Sequence, residues 1–175
     1  MAAPKIEIYT YDDYKNWKGS WELIEGIPYA MAPAPVPKHQ MLVGRIYNEL
    51  NKNLNCENCE VFIAPIDWKI DEYNVVQPDV SIFCEDWEGK SYLSSTPKVI
   101  VEVLSLSTAF KDLNTKYKLY EKTGVKYYVI VNPANDEVKI FENKNGFEEV
   151  EFKNEYEFKW EECKSKIDFS KVFKW

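Results

Sequence analysis

The sequence predicts a mixed α/β (α+β) fold, a mixed β-sheet flanked by helices. Three observations carry that prediction. Two segments, His39 to Asn53 and Ala109 to Thr123, repeat apolar residues at helical spacing. Around them lie short runs that are either continuously apolar or strictly alternating, the marks of buried and half-buried strands. The order is hairpin, helix, strands, helix, strands, which is not a regular βα alternation and so implies a mixed rather than an all-parallel sheet. With 175 residues, 45% of them apolar and 15% aromatic, the chain has the material for one domain, residues 1–175, with a real core.

In chain order, Ile6 to Tyr9 is a short edge strand or an arm. Thr10 caps a short helix running through Asp13 to Trp17, with Asp12 and Asp13 in the first turn, where negative charge suits the helix dipole. Trp21 to Glu25 and Ile27 to Met31 form a hairpin about Glu25-Gly26. Ala32 to Pro37 carries three prolines and is a loop. In the helix from His39, Leu42, Ile46, Leu50 and Leu54 recur every fourth residue, and Val43 and Tyr47 widen the stripe. Val61 to Ala64 and Asp67 to Ile70 are strands joined at Pro65, and Val75 to Phe83 is a third, whose Pro78 keeps its first part from being fully paired. Glu85 to Pro97 is a polar loop, and Lys98 to Leu104 is the most buried strand of the chain. The second helix stops at Gly124, a natural residue for the left-handed C-terminal position. Lys126 to Val131 is another buried strand, and Glu137 to Glu142 with Phe147 to Phe152 is a hairpin about Asn145-Gly146. The tail from Asn154 adds a strand and an irregular closing segment.

Composition narrows the function. The first seventeen residues have no apolar run of leader type and no stretch is long enough to cross a membrane, so a cytoplasmic location is expected. Cys56 and Cys59 form a C-x-x-C motif, but no second pair lies at zinc-site spacing and His39 is the sole histidine. Four reduced cysteines, Cys56, Cys59, Cys84 and Cys163, are therefore expected. The net charge of −7 argues against high-affinity, non-specific nucleic-acid binding, although a local basic surface or a bound metal could supply positive charge at a site. Arg45 is the sole arginine, which leaves little material for bidentate reading of guanine. Neither a G-x-G-x-x-G motif nor a Walker loop is present.

Candidate site residues come from the stretch Gln77 to Lys116. Asp79 lies in Gln-Pro-Asp-Val-Ser, on the strand face opposite Pro78, Val80 and Ile82. Glu102 lies in Val-Ile-Val-Glu-Val-Leu, where a buried carboxylate needs a cation. Lys116 shares an inward helical stripe with Leu113, Tyr117 and Tyr120, while Lys111, Lys118 and Lys122 fall on wetter faces. Glu102 is the evident partner of Lys116, and Asp112, four residues earlier, either orients the lysine or caps the helix. The plainer alternatives are a strand-end aspartate in water for Asp79, a buried salt bridge for Glu102, and a snorkelling ammonium for Lys116. Three ionisable groups on three neighbouring elements suggest that they face one another or a metal.

These motifs resemble a known family. Asp79 in Gln-Pro-Asp-Val-Ser, Glu102 in Val-Glu-Val-Leu-Ser, and Asp112-x-x-x-Lys116-x-x-x-Tyr120 followed by Gly124-Val125 are similar to the Uma-type restriction endonuclease family. That family is a branch of the PD-(D/E)XK nuclease superfamily. The resemblance extends to Trp21 to Gly26, Met31, Lys38-His39-Gln40, Tyr128 and Asn132-Pro133, and spans roughly Glu22 to Phe141. It implies a restriction endonuclease-like core in which Asp79, Glu102 and the carbonyl of Val103 bind Mg²⁺, with Mn²⁺ as a substitute. Lys116 would orient the attacking water or hold the developing negative oxygen. Glu22 would supply a further acid, the alternative being a solvated hairpin carboxylate. The superfamily's usual lysine position, two after the glutamate, is Leu104 here, so the ammonium comes from the helix. Leu106 replaces a usual proline, and Tyr127, Val129 and Asn132 also depart from the family pattern, all away from the metal ligands.

The leading function implied is a metal-dependent DNA endonuclease, helped by Lys111, Lys116, Lys118, Lys122 and Lys126 crowding one segment. The alternative is a catalytically inactive nuclease-fold binding or assembly module, in keeping with the acidic balance and the tail acids Glu148, Glu149, Glu151, Glu155, Glu157, Glu161 and Glu162. An RNA target lacks recognition-type aromatic motifs. A homodimer is expected, since enzymes that cut both strands commonly pair.

Overall fold

The computed structural model describes residues 5–32 and 34–175. Residues 1–4 of the N-terminal stretch and Pro33 of the proline-rich loop lie outside the described residues. A helical turn, α1 (Tyr11–Tyr14), is shorter than the sequence implies; Thr10 caps it, its backbone N–H and hydroxyl donating to Asp13 Oδ2 at 2.8 and 3.0 Å. The hairpin β1 (Trp21–Ile24) and β2 (Ile27–Ala30) turns at Glu25 and Gly26, both in left-handed conformation. A β-carbon on Gly26 would collide with the Ile8 side chain, because Ile6 to Tyr9 is an arm laid on this turn, with the Tyr9 N–H donating to the Gly26 carbonyl at 2.8 Å. The long helix α2 (Pro37–Asn53) starts on Pro37, which needs no hydrogen-bonded N–H in the first turn, and buries Leu42, Val43, Ile46 and Leu50 as the periodicity requires.

The single strand expected over Val75 to Phe83 is two strands. β5 (Asn74–Val76) pairs with β1 and with β4 (Trp68–Asp71), whereas β6 (Val80–Phe83) pairs with β3 (Glu60–Ile63) and β7 (Val99–Val103). Gln77-Pro78 is the crossing between two sheets, and Pro78 explains it: a residue without an N–H cannot continue the ladder. The first sheet has the order β2-β1-β5-β4. The second has the order β10-β9-β8-β7-β6-β3, with β8 (Tyr127–Asn132), β9 (Glu137–Asn143) and β10 (Phe147–Val150); only its β7–β8 pair is parallel. The connection from β7 to β8 is the helical segment from Ala109 to Thr123, closed by Gly124 at φ +87°. Instead of one strand, the tail forms a hairpin, β11 (Glu155–Trp160) with β12 (Cys163–Asp168), and a final turn, α4 (Phe169–Val172).

The six-stranded sheet is covered on both faces. On one, Val80, Ile82, Val99, Val101 and Val103 pack with α2, the tail hairpin and α4. On the other, Ile100, Tyr128 and Ile130 pack with Trp68 and Val76 of the smaller sheet and Tyr120 of the connecting helix. Because strand side chains alternate, Glu102 shares the second face with Ile100 and points into that layer. The cysteine expectation is corrected. Cys56 bonds Cys163 and Cys59 bonds Cys84, since the loop after α2, the end of β6 and the start of β12 meet at one edge of the fold.

Candidate active site

Four carboxylates and two ammoniums meet where the two sheets and the connecting helix come together. β1 contributes Glu22, the β5–β6 crossing Asp79, β7 Glu102, and the helix Lys111, Asp112 and Lys116. Lys116 is only 3% exposed, and its Nζ lies 2.8 Å from Glu22 Oε1, 2.9 Å from Glu102 Oε1 and 3.7 Å from Asp112 Oδ1. Lys111 Nζ lies 2.5 Å from Glu22 Oε2. The Tyr120 hydroxyl donates to Glu102 Oε1 at 2.8 Å, and the Gln77 N–H donates to Glu22 Oε1 at 2.9 Å. Asp79 is tied to the same strand: the Val103 N–H donates to its Oδ2 at 2.8 Å, and its own N–H donates to Glu102 Oε2 at 3.3 Å. His39 Nε2 stands 3.4 Å from Asp79 Oδ2.

The four residues singled out from the sequence, Asp79, Glu102, Lys116 and Glu22, are thus brought together with Val103. Two details differ. Glu22 is not a solvated hairpin carboxylate; it is fully buried and holds both lysines. Lys111 is not on a wet face, and Leu113 is not in the inward stripe but 45% exposed. The cause is a π-helical turn over Lys111–Lys116. With i→i+5 bonding, residues five apart share a face, so Lys111 joins Lys116 inside and Asp112 is buried in place of Leu113. The buried Tyr128 hydroxyl donates to the Asp112 carbonyl at 2.9 Å, anchoring this turn to β8. Lys111 could have been found as the cation five residues before Lys116, but such spacing argues against a shared face in an α-helix.

Charge is distributed unequally. Burial pushes the Glu22 carboxyl up, but Lys116 and Lys111 outweigh it and hold the group below its usual range. Glu102 is raised well above its usual range: burial dominates, Lys116 opposes it, and Asp112, Asp79 and Glu22 add repulsion. Burial also raises Asp112, against the opposing pull of Lys116. The difference between Glu22 and Glu102 follows from the lysines, since Glu22 has two and Glu102 shares one. Burial would lower Lys116, but Glu102, Glu22 and Asp112 push it well above the ordinary lysine value. His39 is raised chiefly by its hydrogen bond to Asp79, against burial, with the Val103 backbone assisting.

Four carboxyl groups face only two lysines, and the raised Glu102 and Asp112 carboxyls mark a site short of positive charge, which a divalent cation would supply. The donors brought together are carboxylate oxygens, which suit a hard ion. A second sign is Asp112 Oδ1, buried without a hydrogen-bond partner. Among the described residues, no three acidic or histidine ligand atoms of this site lie within 4.8 Å of one another. That is not a closed protein cage, but it fits an ion such as Mg²⁺, which keeps waters and takes one or two carboxylates together with substrate phosphate.

The profile of the Uma2 family, described as "Putative restriction endonuclease", matches residues 8–161. The chain belongs to this family. A protein of Synechocystis sp. (strain PCC 6803), described as uncharacterised, is 27% identical over 137 residues, covering 74% of this chain and 72% of that protein. Among solved structures, the fold is similar to a crystal structure from Anabaena variabilis described as "a putative nuclease belonging to DUF820". The TM-score is 0.69 at 17% identity, over 83% of this chain and 86% of that one. At that identity the likeness establishes the nuclease fold of this Uma2 member, a restriction endonuclease-like core with mixed sheets flanked by helices.

Proposed function

We propose that this Uma2 protein is a divalent-metal-dependent endodeoxyribonuclease that hydrolyses phosphodiester bonds in DNA. One observation carries the proposal: four buried and half-buried carboxyl groups, all hard oxygen donors, converge on only two lysines at the junction of the two sheets. Family membership and the nuclease fold support the same reading.

Asp79, Glu102 and the Val103 carbonyl hold the ion, Mg²⁺ or Mn²⁺. When bound, it lowers the pKa of a water and offsets charge on the phosphate. Lys116 grips Glu102 Oε1, opposes the rise that burial imposes on that carboxyl and aims it, and supplies the ammonium that orients the attacking water or faces the developing oxyanion. Glu22 fixes Lys116 from the opposite side and is the further acid of the site. His39 holds a proton at Nε2 beside Asp79 and can release it to the leaving oxygen as the P–O bond breaks. Lys118 and Lys122, exposed on the connecting helix, are left for DNA phosphates, since Lys111 and Lys116 are turned inward. A homodimer in the cytoplasm is the proposed working form, and sedimentation at micromolar concentration that finds only a 20.6 kDa monomer would remove the dimer.

The test is nicking of supercoiled plasmid with Mg²⁺ or Mn²⁺, comparing wild type with Glu102→Ala and Asp79→Asn. Cleavage that needs metal and is lost in both variants is the expected result. Cleavage that survives either substitution would refute it. A second reading, a binding or assembly module of nuclease fold, is favoured by the tight enclosure of Lys116 among three carboxylates. Metal binding by calorimetry with no cleavage of any DNA or RNA would establish that alternative.

A further inference from the structure

We propose that the four cysteines form a second metal site, a tetrathiolate zinc centre that clamps the tail hairpin to the edge of the six-stranded sheet. Linear spacing argues against zinc because only one C-x-x-C motif is present; the fold supplies the other two ligands. Cys56 and Cys59 flank a turn after α2, and their sulfurs are 3.1 Å apart. The sulfurs of Cys56, Cys59 and Cys163 all lie within 4.8 Å of one another; Cys84 is bonded to Cys59 but its sulfur stands outside that group of three. A tetrahedral site with Zn–S of about 2.3 Å needs sulfurs about 3.8 Å apart, a scale at which three of the four already stand, the fourth being one bond from Cys59.

The backbone holds each cysteine in place independently of the sulfur bonds. Cys59 precedes β3 and Cys84 follows β6, and the β3–β6 register pairs Glu60 with Phe83, setting these two cysteines opposite each other at the end of the ladder. Cys56 and Cys163 are brought together by the bridge between Asn55 and Lys164, whose N–H groups each donate to the other's carbonyl, at 2.8 and 3.3 Å. Four thiols released at this corner therefore stay together. Soft sulfur donors in tetrahedral number select zinc over the hard ion proposed for the acidic site. The site would link three segments, the α2–β3 turn, the end of β6 and the start of β12, of which the last belongs to a separate two-stranded sheet.

The disulfide form and the zinc form are related by a balanced exchange. A dithiol reductant gives two electrons and two protons to each disulfide and leaves as its own disulfide, producing four thiols. Zinc then binds the four sulfurs and their four protons pass to water. In a reducing compartment the zinc form is the working state.

The experiment uses the full chain purified in a phosphine reductant. Elemental analysis should find one zinc per chain, and exchange with Co²⁺ should give the intense visible bands and sulfur-to-metal charge transfer of a tetrathiolate. Glu102→Ala should keep the zinc, whereas Cys59→Ser and Cys84→Ser should lose it. Because the serine variants can fail to fold, alkylation of the wild type is read by mass before and after a chelator. Four cysteines protected by zinc and modified after its removal support the site. Iron in place of zinc, both disulfides intact under reductant, four cysteines freely alkylated before chelation, or zinc retained in the serine variants would overturn it.

Discussion

Lys116→Met removes the charge on which the acidic site converges. The variant side chain fills a similar volume, so the loss is electrostatic and not a cavity. Glu22 keeps Lys111 at 2.5 Å and the Gln77 N–H at 2.9 Å, and is only partly deprived. Glu102 keeps the Tyr120 hydroxyl at 2.8 Å and the 3.3 Å contact with the Asp79 N–H, neither of which is a cation. The cost therefore falls on Glu102, and breaking one side of such a buried pair costs about 3–5 kcal/mol. Glu102 can escape by taking a proton. Glu102 is already raised in the wild type and rises further in the variant, so only between those two values does the native variant bind an extra proton, and there the destabilisation should shrink by up to about 1.4 kcal/mol for each unit the pH falls. Urea unfolding followed by tryptophan fluorescence at pH 6, 7 and 8, with Trp68 a buried reporter, measures this. Lys116→Met with Glu102→Gln should be more stable than Lys116→Met alone, because no uncompensated charge is left at 102. A loss below about 1 kcal/mol at every pH, the range of an exposed ion pair, would refute the buried-network reasoning.

Tyr120→Phe removes a buried hydrogen bond to a carboxylate without a change of shape and should cost about 1.5–3 kcal/mol in the same unfolding assay. The side chain at 113 points out of the π-helical turn, so Leu113→Ala should cost less than about 1 kcal/mol, whereas a fully buried leucine would cost about 2–5. His39, the single histidine, should titrate above its ordinary value in an NMR series. Its raised value stabilises the fold fully below the unfolded pKa near 6.5, a gain lost as pH rises through the folded value, and Asp79→Asn should bring the two values together. Mg²⁺ at about a hundred times its dissociation constant should add about 2.7 kcal/mol of stability, and Asp79→Asn should abolish that increment.

Much of the fold was legible in residues whose placement is set locally. The α2 stripe from Leu42 to Leu50, Gly124 as a left-handed stop, and the turns at Glu25-Gly26 and Asn145-Gly146 all appear where their chemistry requires. Pro78 signalled a fault in its strand, yet not that the two halves serve different sheets, because a pairing partner is a non-local property. The site residues Asp79, Glu102 and Lys116 were visible as charges in apolar settings. Lys111 and Leu113 were misplaced by one helical face because the π-helical turn is stabilised from outside the helix, by Glu22 on β1 and Tyr128 on β8. The cysteine cluster was hidden for the same reason: its members are separated by 107 and 25 residues along the chain and meet only through the sheet and the tail hairpin.

The π-helical turn and the surplus of carboxyl groups over lysines have a common origin. Bringing Lys111 beside Lys116 secures Glu22, which lies on the smaller sheet, and so ties that sheet to the helix. The same turn drives Asp112 into the pocket, where burial and Asp79 raise its carboxyl. A regular α-helix would place Leu113 there and remove an acid, but it would also withdraw one lysine and leave Glu22 and Glu102 to compete for the other. The observed arrangement satisfies Glu22 and leaves the deficit on Glu102, the carboxylate on the central strand that sits beside Asp79. An electrostatic deficit concentrated at two adjacent oxygen donors is a costly way to build a core. It becomes favourable once a doubly charged ion occupies that position, and this links the stability of the sheet junction to the chemistry proposed for it.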